Sequence, residues 1–333
     1  DCVDLGGVMT IVIIALMPAL AFGIWNVGEQ HSIAFGLDMS FIEKVWFGFL
    51  KVLPLLIVSY VVGLGIEFAV AQMRGHEVNE GFLVSGMLIP LVVPADIPLW
   101  MVAVATAFAV IFGKEVFGGT GMNIWNPALI ARAFLFFAYP SKISGDTVWY
   151  SNCVDGFTGP TALSLAGTGD YTTYSIMDCI IGNIPGSIGE TSVIAIGLGA
   201  ILLLVTGIAS WKTMFSVIAG GAIMGWVFNN FGSADNAMAM LPWYQHLIIG
   251  GFAFGAVFMA TDPVTSPRTE CAKYIYGFLI GAMAIIIRVL NPGYPEGMML
   301  AILLMNTLAP LFDYFVIQKN ISKRKNRVKT AKA

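Results

Sequence analysis

Residues 8–27 run without one charged side chain, and nine further apolar runs follow, at 47–71, 82–94, 98–113, 126–139, 191–208, 212–230, 244–260, 274–290 and 297–318. A 20-residue run coiled as an α-helix is about 30 Å long, the thickness of a bilayer's hydrocarbon core. Only 11% of the residues are charged, against about 25% in a soluble domain. So few charges cannot cover a soluble surface of this apolar content, so lipid has to solvate much of the chain. The expected fold is an all-α polytopic membrane protein with about ten transmembrane helices.

Three of the first five runs (82–94, 98–113 and 126–139) are short, and Pro90, Pro94, Pro98 and Pro127 punctuate them. Broken helices at membrane depth have to be buried in protein or line a cavity, because lipid cannot satisfy freed backbone groups. A weak internal repeat pairs Gly81-Phe82 and the following Pro94-Ala95-Asp96 with Gly251-Phe252 and the following Thr261-Asp262-Pro263. Five is odd, so two five-helix halves would be inverted relative to each other. The expected organisation is a first membrane half over 1–139, an outer loop over 140–190, a second membrane half over 191–318 and a basic tail over 319–333.

Seven of the 17 Lys and Arg residues lie after Gln318. Behind a long apolar helix this run reads as a cytoplasmic membrane flank rather than a nucleic-acid tail. Counting back from it sets Arg74, Lys114, Lys212, Arg268 and Lys273 inside, Lys44, Lys142 and Arg288 outside, and both chain ends in the cytoplasm. Asp1 rather than Met opens the chain, and no Lys or Arg precedes the first run. A signal peptide is therefore not indicated, and a preceding N-terminal segment is expected. Of the four cysteines, Cys153 and Cys179 share one loop and could pair; no C-x-x-C spacing exists. The scattered His31, His76 and His246 suggest no metal site, and neither a hydrolase triad nor a Walker loop occurs.

Three constellations could carry chemistry. The loop from Asp155 to Ser164 sets Thr158 and Thr161 among Gly156, Gly159 and Pro160. It could expose a threonine hydroxyl, or Thr158 or Thr161 could cap a short helix. The stretch Gly118 to Pro127 carries Asn123, Trp125 and Asn126. It could hold a flat heteroaromatic ring by amide hydrogen bonds and stacking, or simply start a helix with Asn126 as cap and Pro127 in the first turn. The acids Glu67, Glu190, Asp262 and Asp313 lie within or at the ends of apolar runs. Carboxylates at such depth usually mark an ion or proton route, although capping also accounts for Glu190 and Asp262. Arg132 and Arg288 are candidate partners.

Strings over 74–81, 114–121, 126–140, 258–263 and 291–299, with the ending Phe312-Asp313-Tyr314, resemble the B-subunit family of the sodium-translocating NADH:quinone oxidoreductases. The likeness spans nearly the whole chain, apart from an N-terminal segment that the family carries. It implies ten helices in two inverted five-helix repeats, similar to urea and ammonium transporters. It implies FMN joined by a phosphoester to Thr161, within Thr158-Gly159-Pro160-Thr161, where Pro160 stands in place of the family's usual alanine. It implies unmodified riboflavin beside Asn123 and Asn126, near the cytoplasmic face, with Trp125 adjacent. It further implies Na⁺ moving past Glu67, Glu190, Asp262 and Asp313, and a quinone as electron acceptor. The expected setting is a six-subunit complex in a bacterial inner membrane, including a second covalent flavoprotein subunit. The competing expectations are the D-subunit of the related ferredoxin-dependent complex, or a flavin-free channel for a small solute.

Overall fold

The computed structural model describes residues 5–75, 81–146, 148–151, 159–233, 235–291, 293 and 295–332. Among them every regular element is helical. The first half holds α1 (Leu5–Phe35), α2 (Phe41–Arg74), α3 (Phe82–Leu91), α4 (Leu99–Gly113) and α5 (Pro127–Ala138), with a 3₁₀ turn at Glu115–Phe117. Short helices α6 (Pro140–Ile143), α7 (Ala162–Thr168) and α8 (Ile176–Ile181) follow. The second half holds α9 (Val193–Val205), α10 (Trp211–Phe231), α11 (Ala237–Met240), α12 (Trp243–Ile248), α13 (Phe252–Phe254), α14 (Glu270–Leu290) and α15 (Met298–Lys332).

Among the described residues, six helices are long and apolar enough to cross a membrane: α1, α2, α10, α14, α15, and α4 with its 3₁₀ extension. The runs expected at 82–94, 126–139 and 191–208 form only the shorter α3, α5 and α9. The run expected at 244–260 is not one helix. It breaks after α12, where Ile249 is extended and Gly250 takes φ +74°, a left-handed conformation that glycine adopts without strain. It resumes as α13 and closes in a π-helical turn over Gly255–Met259, in which Ala260 donates to the Gly255 carbonyl at 2.8 Å.

Local chemistry sets several ends. Ser40 and Glu43 form a reciprocal capping box at the start of α2, and Gly75 terminates it at φ +71°. Asn126 caps α5 by accepting from the Ala128 amide, with Pro127 in the first turn. Where Pro90 ends α3, the backbone finds partners in a distant turn: Gly189 donates to the Leu91 carbonyl at 2.7 Å and Ile188 to that of Val93 at 3.4 Å. The last residues of the expected outer loop therefore enter the core, where Ile184 and Ile188 are buried. They supply hydrogen bonds that lipid could not.

Candidate functional site

Two cavities flank the broken helices. The first encloses about 780 Å³, part of it open to solvent. The start of α1, the Gly81–Leu88 stretch, Lys114, Thr120 to Pro127, the end of α9 and Phe258 to Val264 contribute its lining. Several loops that the charge pattern assigns to the inside meet here. Asn123 and Asn126 both line it, as does Asp262. The amide of Asn123 donates to the Trp125 carbonyl at 3.0 Å. The Asn126 oxygen caps α5 while its nitrogen donates to Asp262 at 3.3 Å. The capping reading and the cavity reading of Asn126 thus hold together, because its two amide atoms point to different partners.

Trp125 stands apart from the ring-holding group expected for it. It is absent from the lining of this cavity and faces a groove with Phe108, Phe112, Phe134 and Phe137. Its indole N–H donates to Thr307 at 2.9 Å, and its ring meets Phe117 edge-on at 5.7 Å. The physical reason is a long-range partner: the indole N–H finds a hydroxyl on α15, 182 residues away.

Fixed charges surround the first cavity. Lys114, at the end of α4, forms a short buried ion pair with Glu67 of α2. Arg74 lies 3.9 Å from Glu115 beside them. Asp262 accepts from three neutral donors: the Val264 amide at 3.0 Å, the Thr265 hydroxyl at 3.2 Å and Asn126. Two amides and backbone at Gly121 in a left-handed turn suit a flat polar ring.

The second cavity encloses about 450 Å³. Trp149, Thr161, the 184–191 stretch, Ile249 to Gly251, Arg132 and Glu296 line it, and these loops are those assigned to the outside. Thr161 caps α7, its hydroxyl oxygen accepting from the Ser164 amide at 3.1 Å. Capping uses one lone pair of that oxygen and leaves it on the cavity wall, so the cap and the attachment readings are compatible. Ser164 in turn donates to Asp146 at 2.9 Å, which ties α7 to the preceding loop. Beyond α7, the hydroxyl of Thr173, with the amide and hydroxyl of Thr172, holds the exposed Asp170 carboxyl down at about 2. Thr158 and Cys153 lie outside the described residues, so the Thr158 site and the Cys153–Cys179 pairing do as well.

The floor of this cavity is ionic. Arg132 donates to Glu190 at 2.5 Å and to Glu296. Arg288, fully buried, donates to the carbonyls of His246 at 2.6 Å and Pro295 at 3.1 Å. Of the two arginines singled out as partners, Arg132 meets an expected acid and Arg288 binds backbone. Asp313 accepts from the amides of Arg268 and Thr269, both at 2.9 Å, and from the Thr269 hydroxyl, so it caps α14 from α15. Sequence reasoning missed Lys114 and Glu296, whose partners lie 47 and 164 residues away. A buried-charge count could have flagged them, because Glu67 and Arg132 each require a counter-charge.

Two elements run from one cavity to the other. In α5, Asn126 and Pro127 line the first and Arg132 the second, a rise of about 9 Å at ~1.5 Å per residue. The α13 and π-turn segment does the same, with Gly250 and Gly251 at the second cavity and Phe258 at the first.

Comparison with known proteins places these features in a family. The profile described as the NQR2, RnfD, RnfE family matches residues 1–322. The B-subunit of a Na(+)-translocating NADH-quinone reductase from Chromohalobacter salexigens is 46% identical over 352 residues, covering 98% of this chain and 85% of that protein. Proteins of the same name from Pseudomonas aeruginosa and Pseudoalteromonas atlantica are also 46% identical, covering 97% and 98% of this chain and 87% and 88% of their own lengths. A polytopic helical chain matched over nearly its whole length by this profile and by these relatives belongs to the NQR2, RnfD, RnfE family.

Proposed function

We propose that this chain is the membrane-embedded B-subunit of a Na⁺-translocating NADH:quinone reductase, and that its two cavities are the two flavin sites of one transmembrane electron path. The observation that carries the reading is the pair of cavities joined by α5, with Asn126 lining one and Arg132 and Thr161 the other. Thr161 would carry FMN through a phosphoester, and Asn123 and Asn126 would hold riboflavin. Flavins supply reversible one-electron chemistry, which the protein alone lacks.

The chain's own groups do the rest. Thr161 offers an oxygen whose position α7 fixes by capping. The Arg132 guanidinium, between two carboxylates, holds the floor of the outer cavity in one geometry. Asn126 holds Asp262 at the wall of the inner cavity. Electrons would enter on the outer side from a second covalent flavoprotein of a six-subunit complex and leave on the cytoplasmic side to a quinone. Moving one electron inward against 100 mV costs about 2.3 kcal/mol, and a cation moving outward adds a like cost, so the redox drop to the quinone has to supply both. Glu67, Glu190, Asp262 and Asp313 are the proposed acids of the Na⁺ route; hard cations take oxygen ligands.

We also propose the inverted ten-element arrangement in a bacterial inner membrane, with both chain ends cytoplasmic. Three likenesses support it: α4 packs on α2 as α14 packs on α10, α5 on α4 as α15 on α14, and both α4 and α14 end in a buried cation, Lys114 and Arg288.

Peptide mass spectrometry of the purified complex tests the central claim. The peptide containing Thr161 carries the mass of FMN, and Thr161→Ala loses it while Thr161→Ser keeps it. An unmodified Thr161 peptide from a host with the flavin transferase, or a colourless complex, would overturn the reading in favour of a flavin-free transporter.

A further inference from the structure

The Glu67 carboxylate and the inner cavity share one residue. Lys114 lines the cavity, and its ammonium is paired with Glu67, which is not among the lining residues. Both side chains are nearly closed to solvent, at 3% and 5% exposure. The Lys114 backbone is held on both sides: its amide donates to Val110 at 3.2 Å, and its carbonyl accepts from Phe117 at 3.2 Å and Gly119 at 3.1 Å. The side chain is therefore the part free to move, a point charge on a flexible four-carbon stem. One face of its ammonium lies 5.9 Å from the Phe82 ring centroid, a contact that holds a cation without neutralising it. With Glu115 facing Arg74, the four charges of this cluster sum to zero.

An ammonium in this position competes with any other cation for Glu67. It also feels any charge placed in the cavity it lines. We infer that Lys114 is the positioning residue that links cation binding at Glu67 to the charge held in the inner cavity, an inference that rests on the functional reading above. With a neutral occupant the ammonium stays on Glu67 and excludes Na⁺. With one extra negative charge in the cavity it turns toward that charge, and Glu67 takes Na⁺ in its place. No bond forms or breaks and no proton moves; the electron comes from the upstream donor of the complex and leaves to the quinone. The carboxylate is never left uncompensated, which burial would penalise heavily. A fixed counter-ion would instead sit away from the cavity wall.

The test is a redox titration of the non-covalent flavin in the assembled complex, across a series of Na⁺ concentrations, for wild type, Lys114→Gln, Lys114→Arg and Glu67→Gln. In wild type the midpoint potential rises with Na⁺. In Lys114→Gln, Na⁺ reaches Glu67 in both charge states, so this dependence vanishes and the oxidised complex binds ²²Na⁺ about ten-fold more tightly. Lys114→Arg keeps the positive charge and restores the dependence. Should Lys114→Gln not assemble, Glu67→Gln decides the matter: its released ammonium raises the potential above wild type in the absence of Na⁺. A Lys114→Gln complex with the wild-type Na⁺ dependence, or a Glu67→Gln complex with the wild-type Na⁺-free potential, overturns the inference. Acid extraction separates the two failures: wild type that releases no flavin sinks the functional reading itself, whereas released flavin with an unchanged Na⁺ response sinks only the role of Lys114.

Discussion

The Asn126 side chain ties α5 to the turn that follows the π-helical segment, its amide nitrogen 3.3 Å from the Asp262 carboxylate while its oxygen caps α5. One residue thus starts a helix and orients an acid 136 positions away.

Replacing Asn126 with Ala removes both bonds. Loss of a cap costs about 1 kcal/mol, and Asp262 loses one of its donors. We expect the non-covalent flavin released by acid to fall severalfold while the Thr161 peptide keeps its FMN. Asn126→Asp retains the cap acceptor but sets a second carboxylate against Asp262, so it should lose as much flavin and cost more thermal stability than Asn126→Ala. Quantifying both flavins by chromatography in the two variants checks this; equal loss of both flavins would show general misfolding instead.

Arg132 pairs with two carboxylates at once. Arg132→Met should destabilise the subunit by about 3–5 kcal/mol, the cost of leaving a buried ion unpaired. Glu296→Gln leaves Arg132 still paired with Glu190 and should be milder. The triple change Arg132→Met, Glu190→Gln, Glu296→Gln should recover much of the stability without recovering turnover. Thermal unfolding of the complex in detergent, read beside quinone reduction, distinguishes these effects.

Gly159 explains itself by packing: a Cβ there would stand 1.9 Å from the Tyr150 ring. Its amide also donates to the Asp146 carbonyl at 2.8 Å, in the same loop that Ser164 grips. Gly159→Ala should therefore shift the loop and reduce the FMN occupancy of Thr161. Adding Tyr150→Leu should restore part of it. If Gly159→Ala leaves occupancy at the wild-type level, the loop tolerates the shift and the packing argument fails.

The described cysteines offer a test of orientation. Burial first, and Asp178 second, push the Cys179 thiol up to about 11, so at neutral pH almost none is thiolate, the reactive form. Cys271 is exposed at the start of α14. Under reducing conditions a membrane-impermeant maleimide should modify Cys271 in inverted vesicles, leave it unmodified in right-side-out ones, and spare Cys179 in both until the protein unfolds. Cys179 reactivity should climb only as pH approaches about 11. Mapping labelled peptides reads all of this, and labelling of Cys271 from the outer side would reverse the proposed topology.

How far the site could be read in the sequence varied with the range of the interaction. The Asn126 and Thr161 caps are local, and residue types alone suggested them, because their partners lie two or three positions away; Asp262, expected as a helix-end cap, instead accepts from Val264 in a turn. The break within 244–260 was not legible: Gly250 and Gly251 sit in an apolar run, and only the need to pack against Glu190 and Glu296 opens it. The placement of Trp125 was not legible for a related reason, since its hydroxyl partner is on α15, 182 residues away.

By itself the sequence determined that this chain lives in a membrane and that some helices are broken. These follow from hydropathy and from proline, both of which act residue by residue. Only the tertiary structure decided which charges meet. Lys114 takes Glu67, Arg132 takes both Glu190 and Glu296, and Asp313 caps α14. In a medium that cannot solvate an ion, every buried charge requires a partner, but which partner depends on where helices far apart in the chain come to lie.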